Sequence, residues 1–169
     1  MKRTGITEDD IQFGTDLPGV IVLLLEDHKA MRKLMHKVKS PRSAYGTAVS
    51  SFKTLWDLVV SHMKSEEVAL VNHLKAHPLF KDEATESYEE HRVHETIVAG
   101  IHRLKDPKRR LAQMQIYCEM LEHHLGEEEE DLFPKYKKHF ALSTRKKAGK
   151  KFLRKRVKTA TKRARIGAL

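Results

Sequence analysis

The sequence has little cysteine, glycine or proline, and it has no long hydrophobic run. Cys118 is the single cysteine in 169 residues, so no internal disulfide can form and a reducing cytoplasm is the expected location. Eight glycines and five prolines are few for a turn-rich all-β protein, which favours helices. The longest purely apolar run, Val20 to Leu25, is far shorter than the roughly 20 residues of a membrane span. Because the stretch from Thr4 to Asp16 is polar and acidic, no signal peptide is expected. These absences favour a soluble, helical protein of one domain.

Acidic residues are absent from the last 25 residues, which hold 12 lysines and arginines. The rest of the chain carries 21 basic and 23 acidic residues, so the net charge of +10 belongs to this final segment. We therefore expect a flexible lead-in over 1–17, a domain over 18–140 and a basic, partly helical tail over 141–169. The tail is either a solvated helix that docks by a thin apolar edge or an attachment site for nucleic acid or another polyanion. That edge would consist of Leu153, Val157, Ala160 and Ala164.

Apolar residues recur every three or four positions in four segments, which is the spacing of one face of a helix. The first segment begins near Pro18 and ends at Ser40-Pro41, since a proline disfavours helix in the residue before it. The second and third segments cover about 44–74 and 82–104. The fourth opens with Asp106-Pro107 and ends near residue 134. Four amphipathic helices with short links predict an all-α fold, an antiparallel up-down four-helix bundle.

The two halves of this predicted bundle resemble each other. His62 and Glu66 recur 62 residues later as His124 and Glu128. The similarity extends to the flanking residues, which pair Glu67 with Glu129 and Glu26-Asp27-His28-Lys29 with Glu89-Glu90-His91-Arg92. Such a repeat predicts two helical hairpins related by a pseudo-twofold axis.

Histidine is abundant, with eleven in the chain, and histidine and glutamate interrupt the apolar face of each predicted helix. A buried carboxylate costs several kcal/mol unless it is paired or coordinated. Residues i and i+4 lie on one helix face, about 6 Å apart along the axis. In each His-x-x-x-Glu pair the imidazole can therefore bind one ion while the carboxylate bridges to a second. Four imidazoles and two carboxylates suit iron or manganese better than calcium or structural zinc. The candidate ligands are His28, His62, Glu66, His91, His124 and Glu128.

The order His, His-x-x-x-Glu, His, His-x-x-x-Glu resembles the hemerythrin-like (HHE cation-binding) family over about residues 18–140. The segment from Leu121 to Pro134 is similar to the last-helix signature of that family. The resemblance implies a four-helix bundle with two iron ions, bridged by an oxo or hydroxo group and by carboxylates, with manganese or zinc as alternatives. It carries the ligand role to the same six residues and implies a small ligand such as O2, H2O2 or NO. Oxygen-carrying members have a further histidine four residues after the third-helix ligand. Here that residue is Glu95, which favours a redox-active variant.

Two functions fit this interpretation. The first is a di-iron protein that binds or reacts with dioxygen or peroxide, for example in catalase-like peroxide removal during oxidative or nitrosative stress. The second is an iron or oxygen sensor, or a metal store, whose basic tail contacts nucleic acid or another polyanion. No residue is assigned a catalytic role beyond metal binding.

Other residues near the six candidate ligands are expected to have mainly structural positions. Glu67 and Glu129 are expected on a solvated face, and Glu95 and His94 are open as additional members of the site. The tail is expected to be separable from the metal centre, because it follows the last ligand. Core packing is expected of Tyr88, Tyr117 and Cys118. A surface or helix-end position is expected of His36, His73, His77, His102, His123 and His139.

Overall fold

The computed structural model describes residues 18–166, with side chains up to residue 159, and every regular element in this part is helical. The predicted lead-in, 1–17, lies outside the described residues. The α-helices are α1 (Val20–Lys39), α2 (Tyr45–Glu66), α3 (Asn72–Leu74), α4 (Lys81–Arg103), α5 (Pro107–Glu127), α6 (Phe133–His139) and α7 (Leu142–Ile166). The prediction of an all-helical bundle is confirmed. The up-down antiparallel order of the four predicted helices stays a prediction, and α7 adds a fifth long helix.

Helix boundaries follow the local sequence signals. Ser40 is extended and ends α1 just before Pro41. The side chain of Asp106 accepts a hydrogen bond from the Arg109 amide at 2.8 Å, and Pro107 occupies the first position of α5. An N-cap carboxylate followed by proline therefore starts this helix as predicted.

Two π-helical segments interrupt the α-helical geometry, and the regular spacing of apolar residues does not predict them. They cover Glu67–Val71, between α2 and α3, and Glu128–Leu132, between α5 and α6. Their positions in the sequence repeat agree to within one residue. π-Helical turns are rare and frequently occur at functional sites. Both lie at the point where a His-x-x-x-Glu pair ends.

Two apolar clusters fill the bundle, and the candidate ligands lie between them along each helix. On α1, His28 separates Leu24 of one cluster from Met31 of the other. On the α5 side, Glu128 separates Leu125 from Leu132 in the same way. The polar residues are therefore enclosed on two sides by packed apolar side chains, which exclude water from the middle of the bundle.

The basic tail packs on the bundle, where α7 contacts α1, α2 and the first π-helical segment. Ala148 and Phe152 are buried, and Leu153 packs partly against the same apolar cluster. A Cβ atom at Gly149 would lie 2.5 Å from the carbonyl oxygen of Pro18, so glycine is what allows this close approach. The docked face thus shares Leu153 with the predicted edge and adds Ala148 and Phe152. The side chains of Ala160 and Ala164 lie outside the described part.

None of the helices in the described part of the chain is both long enough and apolar enough to cross a bilayer.

Candidate metal centre

The six candidate ligands lie together in the interior of the bundle. They come from α1, α2, α4, α5 and the first residue of the second π-helical segment. Each is at most 4% exposed, which leaves little contact with water. The structure therefore brings together His28, His62, Glu66, His91, His124 and Glu128. Their role as ligands stays a prediction.

Each buried carboxylate lies between two imidazoles, one from its own helix and one from the opposite hairpin. Oε2 of Glu66 is 3.5 Å from Nε2 of His62 and 3.6 Å from Nε2 of His91. Glu128 has one oxygen 3.2 Å from Nε2 of His28 and the other 3.6 Å from Nε2 of His124. The carboxylates are thus placed where bridging ligands between two ions would lie.

Eight buried polar atoms at this point lack a hydrogen-bond partner among the described residues. They are Nε2 of His28, His62, His91 and His124 and both carboxylate oxygens of Glu66 and Glu128. Buried polar atoms are normally satisfied, since an unpaired one is costly. Two groups of ligand atoms, each within 4.8 Å of one another, could hold an ion: His28 with His62 and Glu128, and His91 with His124 and Glu128. The unsatisfied donor set fits two cations that share Glu128.

Every one of the four histidines makes a hydrogen bond through its other ring nitrogen, Nδ1, to a carboxylate. Because a carboxylate can only accept, Nδ1 carries a proton, and Nε2 is the ring nitrogen that faces the site. The pairs are His28 with Glu129 at 2.8 Å, His62 with Asp27 at 3.1 Å, His91 with Glu67 at 3.3 Å and His124 with Glu90 at 2.9 Å.

These outer carboxylates correct the interpretation of Glu67 and Glu129 as members of a solvated face. Their side chains are 15% and 27% exposed, and they orient His91 and His28. The sequence repeat contains the signal, because Asp27 precedes His28 just as Glu90 precedes His91. In the structure, Asp27 and Glu90 orient the histidine of each His-x-x-x-Glu pair.

Basic side chains hold three of the four outer carboxylates. Arg32 donates to Glu129 at 2.7 Å, and Lys64 donates to Glu67 at 3.2 Å. Arg156 of α7 donates to Asp27. Within the described part of the chain, Glu90 contacts no lysine or arginine, so the pseudo-twofold symmetry is broken here. α7 therefore reaches a residue that orients His62. That the tail is separable from the centre stays a prediction.

Comparison with known proteins agrees with this geometry. A family model for the hemerythrin HHE cation binding domain matches residues 19–136, which is more than two thirds of the chain. The chain belongs to this family. No curated protein and no solved structure showed significant similarity to it. A hemerythrin domain binds metal cations, and the buried histidine and glutamate groups described above could hold them.

The metal-free hemerythrin domain attracts positive charge at its centre. Burial disfavours the charged form of His91, but the nearby carboxylates of Glu66 and Glu67 outweigh it and raise its pKa to about 9. The pKa values of His28 and His124 are raised as well, because Glu128 outweighs the burial of both rings. Ligand histidines must lose this proton before a metal binds.

The two residues left open by the sequence do not join either group of ligand atoms in the hemerythrin centre. Glu95 is 43% exposed and pairs with Lys64 at 3.0 Å, behind the outer carboxylate Glu67. His94 is buried, with its ring centroid 5.2 Å from that of His124, and burial lowers its pKa to about 4. His94 is therefore a neutral ring packed against a candidate ligand.

The remaining candidates have the structural surroundings that the sequence predicted. Tyr117 and Cys118 are buried in an apolar cluster, and burial raises the pKa of the Cys118 thiol to about 12. The ring of Tyr88 lies beneath the Lys75 ammonium at 3.8 Å and packs partly against the other cluster. His123 is exposed next to His124.

Proposed function

We propose that this hemerythrin domain holds two iron ions and binds or reacts with dioxygen or peroxide. The observation that carries the proposal is the convergence of eight unsatisfied nitrogen and oxygen atoms in a dry interior. His28 and His62 would serve one ion, and His91 and His124 the other. Glu66 and Glu128 lie between the two positions.

The surroundings of the site support a small ligand. Four imidazoles and two carboxylates leave coordination positions for an exogenous molecule, and an open pocket is lined in part by His124 and Glu128. A bound iron pair would supply two-electron redox chemistry, enough to convert two molecules of hydrogen peroxide into one of dioxygen and two of water. The outer carboxylates would hold the imidazoles in place, and the apolar clusters would exclude bulk water.

Oxygen evolution from hydrogen peroxide by the iron-loaded protein tests this function. We expect sustained turnover that is lost in Glu128→Ala and kept in His123→Ala, a matched change at an exposed neighbour. Metal analysis of the same samples would identify iron, manganese or zinc. An iron-loaded protein that neither evolves oxygen nor changes its absorption spectrum with peroxide or dioxygen would contradict the proposal.

A second candidate function is an iron or oxygen sensor with a basic output helix. It is favoured by the contact of Arg156 with Asp27, which links α7 to His62. The exposed residues Lys147, Lys150 and Lys151 on the same helix would be available to nucleic acid or another polyanion. A sensor would show negligible peroxide turnover and a metal-dependent change in salt-sensitive polyanion binding.

A further inference from the structure

One face of the candidate centre opens to solvent through an acidic pocket of about 140 Å³. Glu83, Glu86, Glu90, Glu127 and Asp131 line it, with no lysine or arginine in its wall. The buried residues His124 and Glu128 also line it, together with Ser87 and Leu132. The pocket therefore has a mainly acidic wall and borders two candidate ligands.

The acidic side chains of the pocket differ in how far they are neutralised. Glu83 accepts a hydrogen bond from Lys135, Glu127 lies 3.2 Å from a ring nitrogen of His123, and Glu90 is bonded to His124. Glu86 and Asp131 form no ion pair with any residue whose side chain is described. These two exposed carboxylates therefore line the pocket without a basic partner among the described side chains.

Acidic residues on a surface are common without a ligand, but this pocket also contains unsatisfied buried atoms. Both oxygens of Glu128 and Nε2 of His124 lack hydrogen-bond partners, although the two residues are only 3% and 4% exposed. A cation that entered between Glu86 and Asp131 would therefore meet free donor atoms beyond them. Exposed carboxylates suit a hydrated divalent ion, whereas the mixed nitrogen and oxygen donors further in suit a transition metal.

The opposite side of the centre is covered. Phe152 of α7 is fully buried with its ring 6.3 Å from that of His62, and Arg156 closes over Asp27. The His62 side is thus closed by a positively charged helix, and the His124 side is open and negative. A cation would therefore approach the centre from the His124 side.

We propose that the acidic pocket is the route by which divalent transition-metal ions reach the centre, with Glu86 and Asp131 as a transient binding site at its mouth. This inference rests on the proposed function, because it requires a metal centre to be filled. A negative cleft concentrates cations and repels anions, and salt screens the effect. Neutral molecules such as peroxide, dioxygen and nitric oxide would use the same opening without electrostatic selection.

Cobalt(II) uptake by the metal-free, full-length protein tests the route, because its visible absorption reports binding to histidine. We expect Glu86→Gln/Asp131→Asn to take up two ions per chain, as the wild type does, but at least about threefold more slowly at low salt. The difference should shrink at high salt. Glu26→Gln/Glu119→Gln is the matched control: it removes the same charge from exposed positions outside the pocket and should load at the wild-type rate.

Azide is an anion, so its rate of binding to the iron-loaded protein tests the same pocket with a probe of the opposite charge to cobalt(II). Removal of two negative charges should accelerate azide binding while it slows cobalt uptake. Equal rates for the pocket variant and the wild type in both experiments would overturn the route while leaving the centre intact. If both rates fell together, the substitutions would have damaged the pocket rather than its field, and the inference would also fail. A wild type that takes up no metal would overturn the proposed function itself.

Discussion

Arg156, in the middle part of the basic helix α7, donates a hydrogen bond to Asp27 on α1, and that carboxylate also accepts the Nδ1 proton of His62. Asp27 is only 5% exposed, so these contacts replace water around its charge. The guanidinium also lies 4.6 Å from the ring centroid of Phe152. A residue far along the chain thereby helps to orient a candidate metal ligand.

Replacement of Arg156 with alanine should weaken the binding of one metal ion. Without the guanidinium, Asp27 loses a fixed partner and holds the His62 ring less firmly. Loss of such outer contacts typically lowers metal affinity by about 10- to 100-fold. Competition with a chelator measures this, with Arg156→Lys expected to retain part of the affinity and the exposed Lys151→Ala all of it. Unchanged affinity in Arg156→Ala would show that the contact does not serve the centre.

The docked tail should contribute to the stability of the bundle. Phe152 is fully buried, and a phenylalanine-to-alanine change in a core costs about 3–5 kcal/mol. Phe152→Ala should therefore lower the free energy of unfolding of the metal-free protein in urea, and truncation after Thr144 should lower it further. Leu142→Ala, at an exposed position of the same helix, is the control. A truncated protein with wild-type stability and metal content would support the prediction of a separable tail.

His124→Ala should lose metal, whereas His123→Ala should keep it. The two residues are adjacent, but Nε2 of His124 points at Glu128 from the interior and His123 pairs with Glu127 at the surface. His73→Ala and His77→Ala should also retain metal, since neither belongs to the ligand groups found in the described structure. Metal analysis after dialysis gives the result directly. Loss of metal in His123→Ala with retention in His124→Ala would move the site by one residue.

The metal-free protein should lose stability as the pH rises from about 6.5 to about 9. The pKa of His91 is raised from 6.5 to about 9 in the folded state, so its bound proton stabilises the fold fully below pH 6.5 and progressively less above it. The raised pKa values of His28 and His124 act in the same direction. Urea unfolding at both ends of this range measures the decline.

Metal-loaded protein is the control for this pH dependence. With Nε2 bound to metal there is no proton to lose, so the decline should be absent or reversed. Stability of the metal-free protein that rises across this range would show that the histidines are neutral in the folded state. The electrostatic account of the site would then be wrong.

The spacing of apolar residues was sufficient to predict the helices, and it also predicted that the six polar residues lie close together. His28 and the two His-x-x-x-Glu pairs each interrupt an apolar stripe, and residues four apart share a helix face regardless of how the helices pack. The sequence repeat also paired Asp27 with Glu90, although their hydrogen bonds to His62 and His124 depend on the distances between helices. Pattern along one helix cannot supply those distances.

Other features depend on tertiary packing and could not be read from periodicity. Glu67 and Glu129 look like surface residues in a regular helix, but the π-helical segments begin beside them and they contact His91 and His28. The contact of Arg156 with Asp27 spans 129 residues of sequence, and a uniformly basic helix offers several arginines for such a role. Gly149, which permits the close approach of α7, has no distinguishing local signal.

Four histidines and two shared carboxylates are proposed to hold two ions. Metal content together with the ultraviolet–visible spectrum of the wild type, Glu66→Ala and Glu128→Ala tests this proposal. We expect two irons per chain with oxo-bridge absorption in the wild type, and loss of at least one ion with altered absorption in each variant. Two ions and an unchanged spectrum in both variants would contradict the account.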